Sequence, residues 1–186
     1  MRRVRAFVAV FPPPEVREAL AGAARDLPVV GKIRLTAPAN IHLTLKFLGD
    51  VPEYDLGRVA EALEPLRERH EPFEAGISGF GAFPSPRRAH ILWAGIGRGA
   101  DRLRALAQDV EGYLEPLGFE RDERTYVPHL TLGRTRGRAV TLEVAETSPP
   151  VPDFLVSHVE LVKSVLGKTG ATYSTLATYP RSECRD

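Results

Sequence analysis

The sequence predicts an α+β fold, and three observations point there. Apolar residues recur with a period of two in some stretches and at helical spacing in others, so strands and amphipathic helices both occur. Strand-like segments follow one another directly in places, which implies antiparallel pairing. The chain also carries a weak pseudo-repeat. Each half places a helix between strands and spells His-Leu-Thr-Leu once, with the two histidines 87 residues apart.

The elements follow in order. "VRAFVAV" at 4–10 reads as a buried strand. "PPPEVREALAGAARDL" sets Val16, Leu20, Ala24 and Leu27 on one face behind a proline-rich start, which is how a helix opens. "NIHLTLKFLGDV" reads as a strand ended by Gly49-Asp50. "PEYDLGRVAEALEPLRERH" is a second helix that Pro65 should kink or shorten. "PFEAGISGFGAF" and "RAHILWAGI" are two strands around the turn "PSPRR". "GADRLRALAQDVEGYLEPLG" is a third helix with Leu103, Leu106, Val110 and Leu114 inward. "YVPHLTLGR" is again a strand, the prolines of 145–153 mark a loop, and "VSHVELVKSVL" and "TYSTLATY" form a hairpin around "GKTG".

Composition narrows the class. The 186 residues suit one domain or two small lobes sharing a core. With 43% hydrophobic and 26% charged residues the chain is an ordinary globular one. Its 25 basic and 24 acidic residues leave a net charge of +1, which excludes a protein that coats nucleic acid and confines any such contact to a local patch. Only four of the basic residues are lysines, an excess of arginine read globally as compositional bias. One cysteine, Cys184, allows no internal disulfide, which favours a reducing compartment. No apolar run reaches the roughly 20 residues of a membrane span. The basic start and "AFVAVF" are too short for a signal peptide and read as the first strand. A cytoplasmic monomer is expected.

On a strand, His42 and Thr44 point one way and Leu43 and Leu45 the other. The same holds for His129 and Thr131 against Leu130 and Leu132. Each copy anchors itself with two leucines and shows an imidazole and a hydroxyl to the opposite side. One copy alone would be structural. Two copies in two halves of a pseudo-repeat, facing each other, would bring two imidazoles and two hydroxyls to one cleft. Three chemistries are then open. Paired imidazoles can act as acid and base near neutral pH. A metal site would need one or two further ligands, and His70, His90 and His158 lie in no ligand spacing with the motifs. Nucleophilic catalysis lacks a nucleophile elbow. The threonines favour the first, because a hydroxyl beside each imidazole suits a nonbridging phosphate oxygen.

These motifs resemble the two-histidine (2H) phosphoesterase superfamily, and within it the RNA 2′,3′-cyclic phosphodiesterase family, also called 2′-5′ RNA ligases. "RAFVAVFPPPEVREAL", "NIHLTLKFLGDV", "FGAFPSPRRAHILWAGI", "YVPHLTLGR" and "VELVKSVLGKTGATYSTLATYP" are each similar to the family's stretches and come in the family's order. The chain departs from it at "GKIRLTAPAN", where the family often has tryptophan, and at Tyr126, where it often has phenylalanine. The resemblance implies two pseudo-symmetric lobes of antiparallel sheet with outer helices around a central cleft. It implies His42 as general acid and His129 as general base, with Thr44 and Thr131 holding phosphate oxygens and no cofactor or metal. Water would open a 2′,3′-cyclic phosphate at an RNA or oligonucleotide end to leave a 2′-phosphate. The reverse would be ligation.

Further substrate-binding candidates are Lys46, Arg124 and Arg134. Lys46 shares the parity of His42 and Thr44. Arg124 lies just upstream of the second motif. Arg134 faces the cleft only if a bulge at Gly133 interrupts the alternation. Phe47 and Trp93 are expected in the core, and Ser164 and Tyr173 are candidate polar cleft groups. Two rival readings stay open, a module that only binds RNA ends and a 2H enzyme for a small nucleotide such as a cyclic phosphate of ADP-ribose.

Overall fold

The computed structural model describes residues 2–143, 150–168 and 170–180. Of the loop expected over 145–153, the part to 149 lies outside them, as does Cys184. The chain opens with β1 (Arg3–Val10) and α1 (Pro14–Asp26), whose Pro14 sits in the first turn, where a missing amide donor costs nothing. Two short strands, β2 (Val29–Val30) and β3 (Arg34–Leu35), precede β4 (Leu43–Pro52). The second expected helix is two, α2 (Leu56–Ala62) and α3 (Leu66–Arg69), parted at Pro65. Then come β5 (Phe73–Ala75), β6 (Ile77–Ser85), β7 (Arg88–Ile96), α4 (Ala100–Leu114) and β8 (His129–Arg134). The chain continues through β9 (Thr141–Leu142), β10 (Phe154–Val156), β11 (His158–Leu166) and β12 (Ala171–Pro180).

The principal sheet runs β12-β11-β1-β4-β8-β7-β6, with β3 also paired to β8. All its pairings are antiparallel. The two motif strands are neighbours, joined by the single pair Leu43↔Leu130, and the two halves of the sheet fan out from there. Two small ladders, β5 with β10 and β2 with β9, tie distant parts of the chain together. The leucine side of the sheet is covered by helices. Leu103, Leu106, Val110 and Leu114 of α4 are fully buried, as expected from their spacing. The helices cross over, since α4 packs on β4 and α1 on β8, each supporting the other half's motif strand. Leu43, Leu45, Leu130 and Leu132 lie in the resulting core. Each fully buried leucine contributes about 1.5–3 kcal/mol relative to exposure.

Two departures from regular alternation decide which side chains reach the opposite side. In the β1–β4 ladder Ala9 pairs with Thr44 and Val8 with Lys46, leaving Leu45 unpaired. In the β7–β8 ladder Trp93 pairs with Thr131 and Leu92 with Gly133, leaving Leu132 unpaired. Each is a β-bulge in which one extra residue inverts the parity of the residues just after it, and in β4 a second shift at Leu48 inverts it again. Lys46 therefore turns into the protein, and Phe47 turns outward, 50% exposed. The strand also continues past Gly49-Asp50 to Pro52, where a stop was expected.

Candidate active site

His42 stands just before β4 and His129 opens β8. Both are held by the same device. The Nδ1–H of His42 donates to the carbonyl of Asn40 at 2.7 Å, and that of His129 to the carbonyl of Val127 at 2.8 Å. A carbonyl only accepts, so Nδ1 carries the proton in each ring and Nε2 is the nitrogen left to exchange one. Asn40 is itself tied down, its side-chain amide donating to the carbonyl of Ala171 at 2.8 Å.

The two rings sit in different surroundings. His42 stacks on Phe7 at 4.8 Å between centroids, with Phe11 at 5.2 Å and the edge of Tyr173 at 5.3 Å. Among the described residues His129 meets one ring, Phe83, edge-on at 5.3 Å. Burial pushes the His42 imidazole below its ordinary value. The hydrogen bond to Asn40 opposes that shift, and the nearby Arg134 and His129 add to it. Burial likewise raises the Tyr173 phenol, with Arg134 and Arg5 opposing.

A cleft of about 600 Å³ lies between the halves and is lined by both histidines, Thr44 and Thr131. Its cations are Arg5, Arg34 and Arg134, and no acidic residue is among the described residues that line it. Among the described residues, no three His, Cys, Asp or Glu side chains cluster so as to hold a metal ion. The cleft thus offers two imidazoles, three guanidinium groups and several hydroxyls, those of Thr44 and Thr131 among them, a set matched to an anionic oxygen-rich ligand.

Residues 12–168 match the family model described as the 2'-5' RNA ligase superfamily. The chain belongs to that superfamily. Relatives in the superfamily include the RNA 2',3'-cyclic phosphodiesterase of Methanothermobacter thermautotrophicus, 33% identical over 95% of this chain and 98% of that one. Another of that name, from Archaeoglobus fulgidus, is 33% identical over 95% of this chain and 99% of its own. Among solved structures, that of TT0787 of Thermus thermophilus superposes with a TM-score of 0.75 at 27% identity, covering 95% of this chain and 97% of that one. The antiparallel sheets and outer helices are therefore those of the 2'-5' RNA ligase superfamily fold.

Of the site residues expected from sequence, His42, Thr44, His129, Thr131 and Arg134 line the cleft, as do Ser164 and Tyr173. Lys46 does not. The bulge at Leu45 turns it toward α4, where its ammonium donates to Glu111 at 2.5 Å and to the carbonyl of Glu120 at 2.7 Å. Arg124 is not a lining residue either, being 93% exposed on the loop before β8 beside Asp122. Phe47 is not core. It lines the cleft under the guanidinium of Arg5, 4.5 Å from its ring centre. Trp93 packs within its own half, tilted against Phe83 at 5.3 Å and so close over Gly81 that a Cβ there would lie 2.3 Å from the indole.

Sequence reasoning missed Arg5, Arg34 and Asn40. Arg5 alternates with Phe7 in the first strand, a signal that was available. Arg134 and Phe47 each fall five positions after their histidine, so aligning the two motifs beyond His-Leu-Thr-Leu would have paired them. No pattern marks Arg34.

Proposed function

We propose that the cleft opens 2′,3′-cyclic phosphates at RNA ends by metal-independent, paired-imidazole acid–base catalysis. The observation that carries this reading is the shared anchoring of the two histidines: each Nδ1–H is engaged by a carbonyl, neither Nε2 has a partner among the described residues, and both rings line one cleft with two threonines. The activity in the names of the two relatives is the chemistry this equipment suits.

In this reading Nε2 of His129 accepts a proton from water as the oxygen attacks phosphorus. The bond from phosphorus to the 3′ oxygen breaks on the far side, and the Nε2–H of His42 delivers its proton to that oxygen. The products are a 2′-phosphate and a 3′-hydroxyl. Thr44 and Thr131 donate to nonbridging oxygens, and Arg134 offsets the charge that builds there. The aromatic wall keeps water from the acid, while the barer surroundings of His129 leave room for the attacking water. With the 5′-hydroxyl of another strand attacking in place of water, the same step would join the cyclic end in a 2′-5′ linkage.

The test is hydrolysis of 2′,3′-cyclic AMP in EDTA, with the product identified by phosphorus NMR. Turnover to adenosine 2′-phosphate is expected. Activity that vanishes on chelation and returns with a divalent ion would overturn the metal-free step, and a 3′-phosphate product would overturn the assignment of acid and base.

A further inference from the structure

The cleft does not end at the histidines. Arg34 and Arg134 are cross-strand partners in the β3–β8 pair, and both are exposed cations lining the cleft. Like charges directly opposite each other on a sheet repel. Among the described residues neither makes an ion pair with an acid. Such a pair becomes favourable when an anion lies between the two.

Arg34 also lines a second groove of about 600 Å³, with Lys32 on one bank and Arg136 and Arg138 on the other. The banks are the segments 31–33 and 135–140, running side by side. They are pinned at one end by the β3–β8 pair and at the other by Val29↔Leu142 and Val30↔Thr141. Gly31 lets them close. Its φ is +125°, and a Cβ there would lie 2.7 Å from a methyl of Val140. No acidic residue lines this groove among the described residues, and Lys32, Arg136 and Arg138 are exposed with no ion pair. In a chain whose net charge is only +1, this is a local concentration of one sign that continues the cleft.

We propose that this groove is a backbone track for single-stranded RNA, in which Arg34, Lys32, Arg136 and Arg138 hold the phosphates that precede the terminal cyclic phosphate. The inference rests on the cyclic-phosphate reading of the cleft. A 2′,3′-cyclic phosphate is the 3′ terminus of its strand, so the rest of the polymer leaves in one direction only, and the groove opening at Arg34 offers a path of matching charge. Among the described residues no aromatic side chain lines the groove for bases to stack on, so it holds the backbone without reading sequence. The preferred substrate is then an oligonucleotide end rather than a free cyclic nucleotide.

The experiment compares the unaltered protein with the triple variant Lys32→Ala, Arg136→Ala, Arg138→Ala. Its substrates are 2′,3′-cyclic AMP and a single-stranded RNA octamer ending in a 2′,3′-cyclic phosphate. The triple variant should lose about 10–10²-fold in kcat/KM on the octamer at low salt and turn over the mononucleotide normally, which also certifies its fold. Its dependence of log affinity on log salt should flatten by about two, at roughly 0.7 for each single-strand phosphate no longer neutralised. Equal losses on both substrates, or none on the octamer, would overturn the track. If the unaltered protein hydrolyses neither substrate, the cyclic-phosphate reading fails instead. The track is then decided by binding of a labelled octamer with a 3′-phosphate, where weaker binding by the variant upholds it and equal binding overturns it.

Discussion

The two motif strands are the same machine up to the bulge and different machines after it. His-x-Thr faces the cleft in both, a leucine bulges out in both, and each histidine donates its Nδ1–H to the carbonyl two residues back. The next two residues are Lys46-Phe47 in one half and Gly133-Arg134 in the other. The first bulge therefore sends a cation into the protein and an aromatic ring into the cleft, while the second puts a guanidinium there. Around the imidazoles the contrast is of the same kind, three aromatic rings at His42 and one at His129. Repetition supplies two imidazoles on one cleft. The residues beyond the repeat make their surroundings unequal, as the proposed roles of donor and acceptor require.

The strongest way to break this comparison is to remove each imidazole in turn. His42→Ala and His129→Ala should each lower the rate on 2′,3′-cyclic AMP by about 10²–10⁴, the usual worth of a positioned acid or base. One variant that kept nearly full rate would leave a single catalytic histidine. Next comes the buried lysine. Lys46→Met strands Glu111 and should cost about 3–5 kcal/mol in denaturant unfolding, and adding Glu111→Leu should restore most of it. A stable Lys46→Met that binds substrate poorly would mean that the first bulge feeds the cleft after all. Smaller again is the contrast one position on. Arg134→Ala should lower kcat/KM by about 10–10², the value of a hydrogen bond to a charged group, and Phe47→Ala by less than about tenfold. Equal losses would erase the asymmetry.

The smallest effect concerns pH. A proton donor must be protonated, and burial holds His42 low in the free cleft. The high-pH decline of kcat/KM, which reports the free enzyme, should therefore come at lower pH than that of kcat, where the bound phosphate anion draws the proton back. Coincident limbs, or the reverse order, would remove His42 as the donor.

Most of the scaffold and the two His-x-Thr pairs were legible because leucine alternation and helical spacing are strong, local signals. Legibility ended where local rules did. Alternation held from His42 to Leu45 and failed one residue later, so Lys46 and Phe47 exchanged places. A bulge depends on the partner strand, and β1 lies some forty residues upstream of β4. Strands as short as β2, β3 and β9 have too few residues to show a period. Arg34 joins the cleft only because β3 pairs with β8, a contact across a hundred residues of chain. Arg124, chosen for its nearness in sequence to His129, shows the converse, since proximity along a loop does not aim a side chain.

The lone Leu43↔Leu130 pair between the motif strands has a mechanical meaning. In any turning of one body against another, displacement grows with distance from the axis. His42 and His129 are the residues immediately before that pair, so they sit at the fulcrum of a pair of tongs. The edge strands β12 and β6 lie farthest out along the arms. Any turning of one half of the sheet against the other would therefore move the edge strands most and the gap between the two imidazoles least.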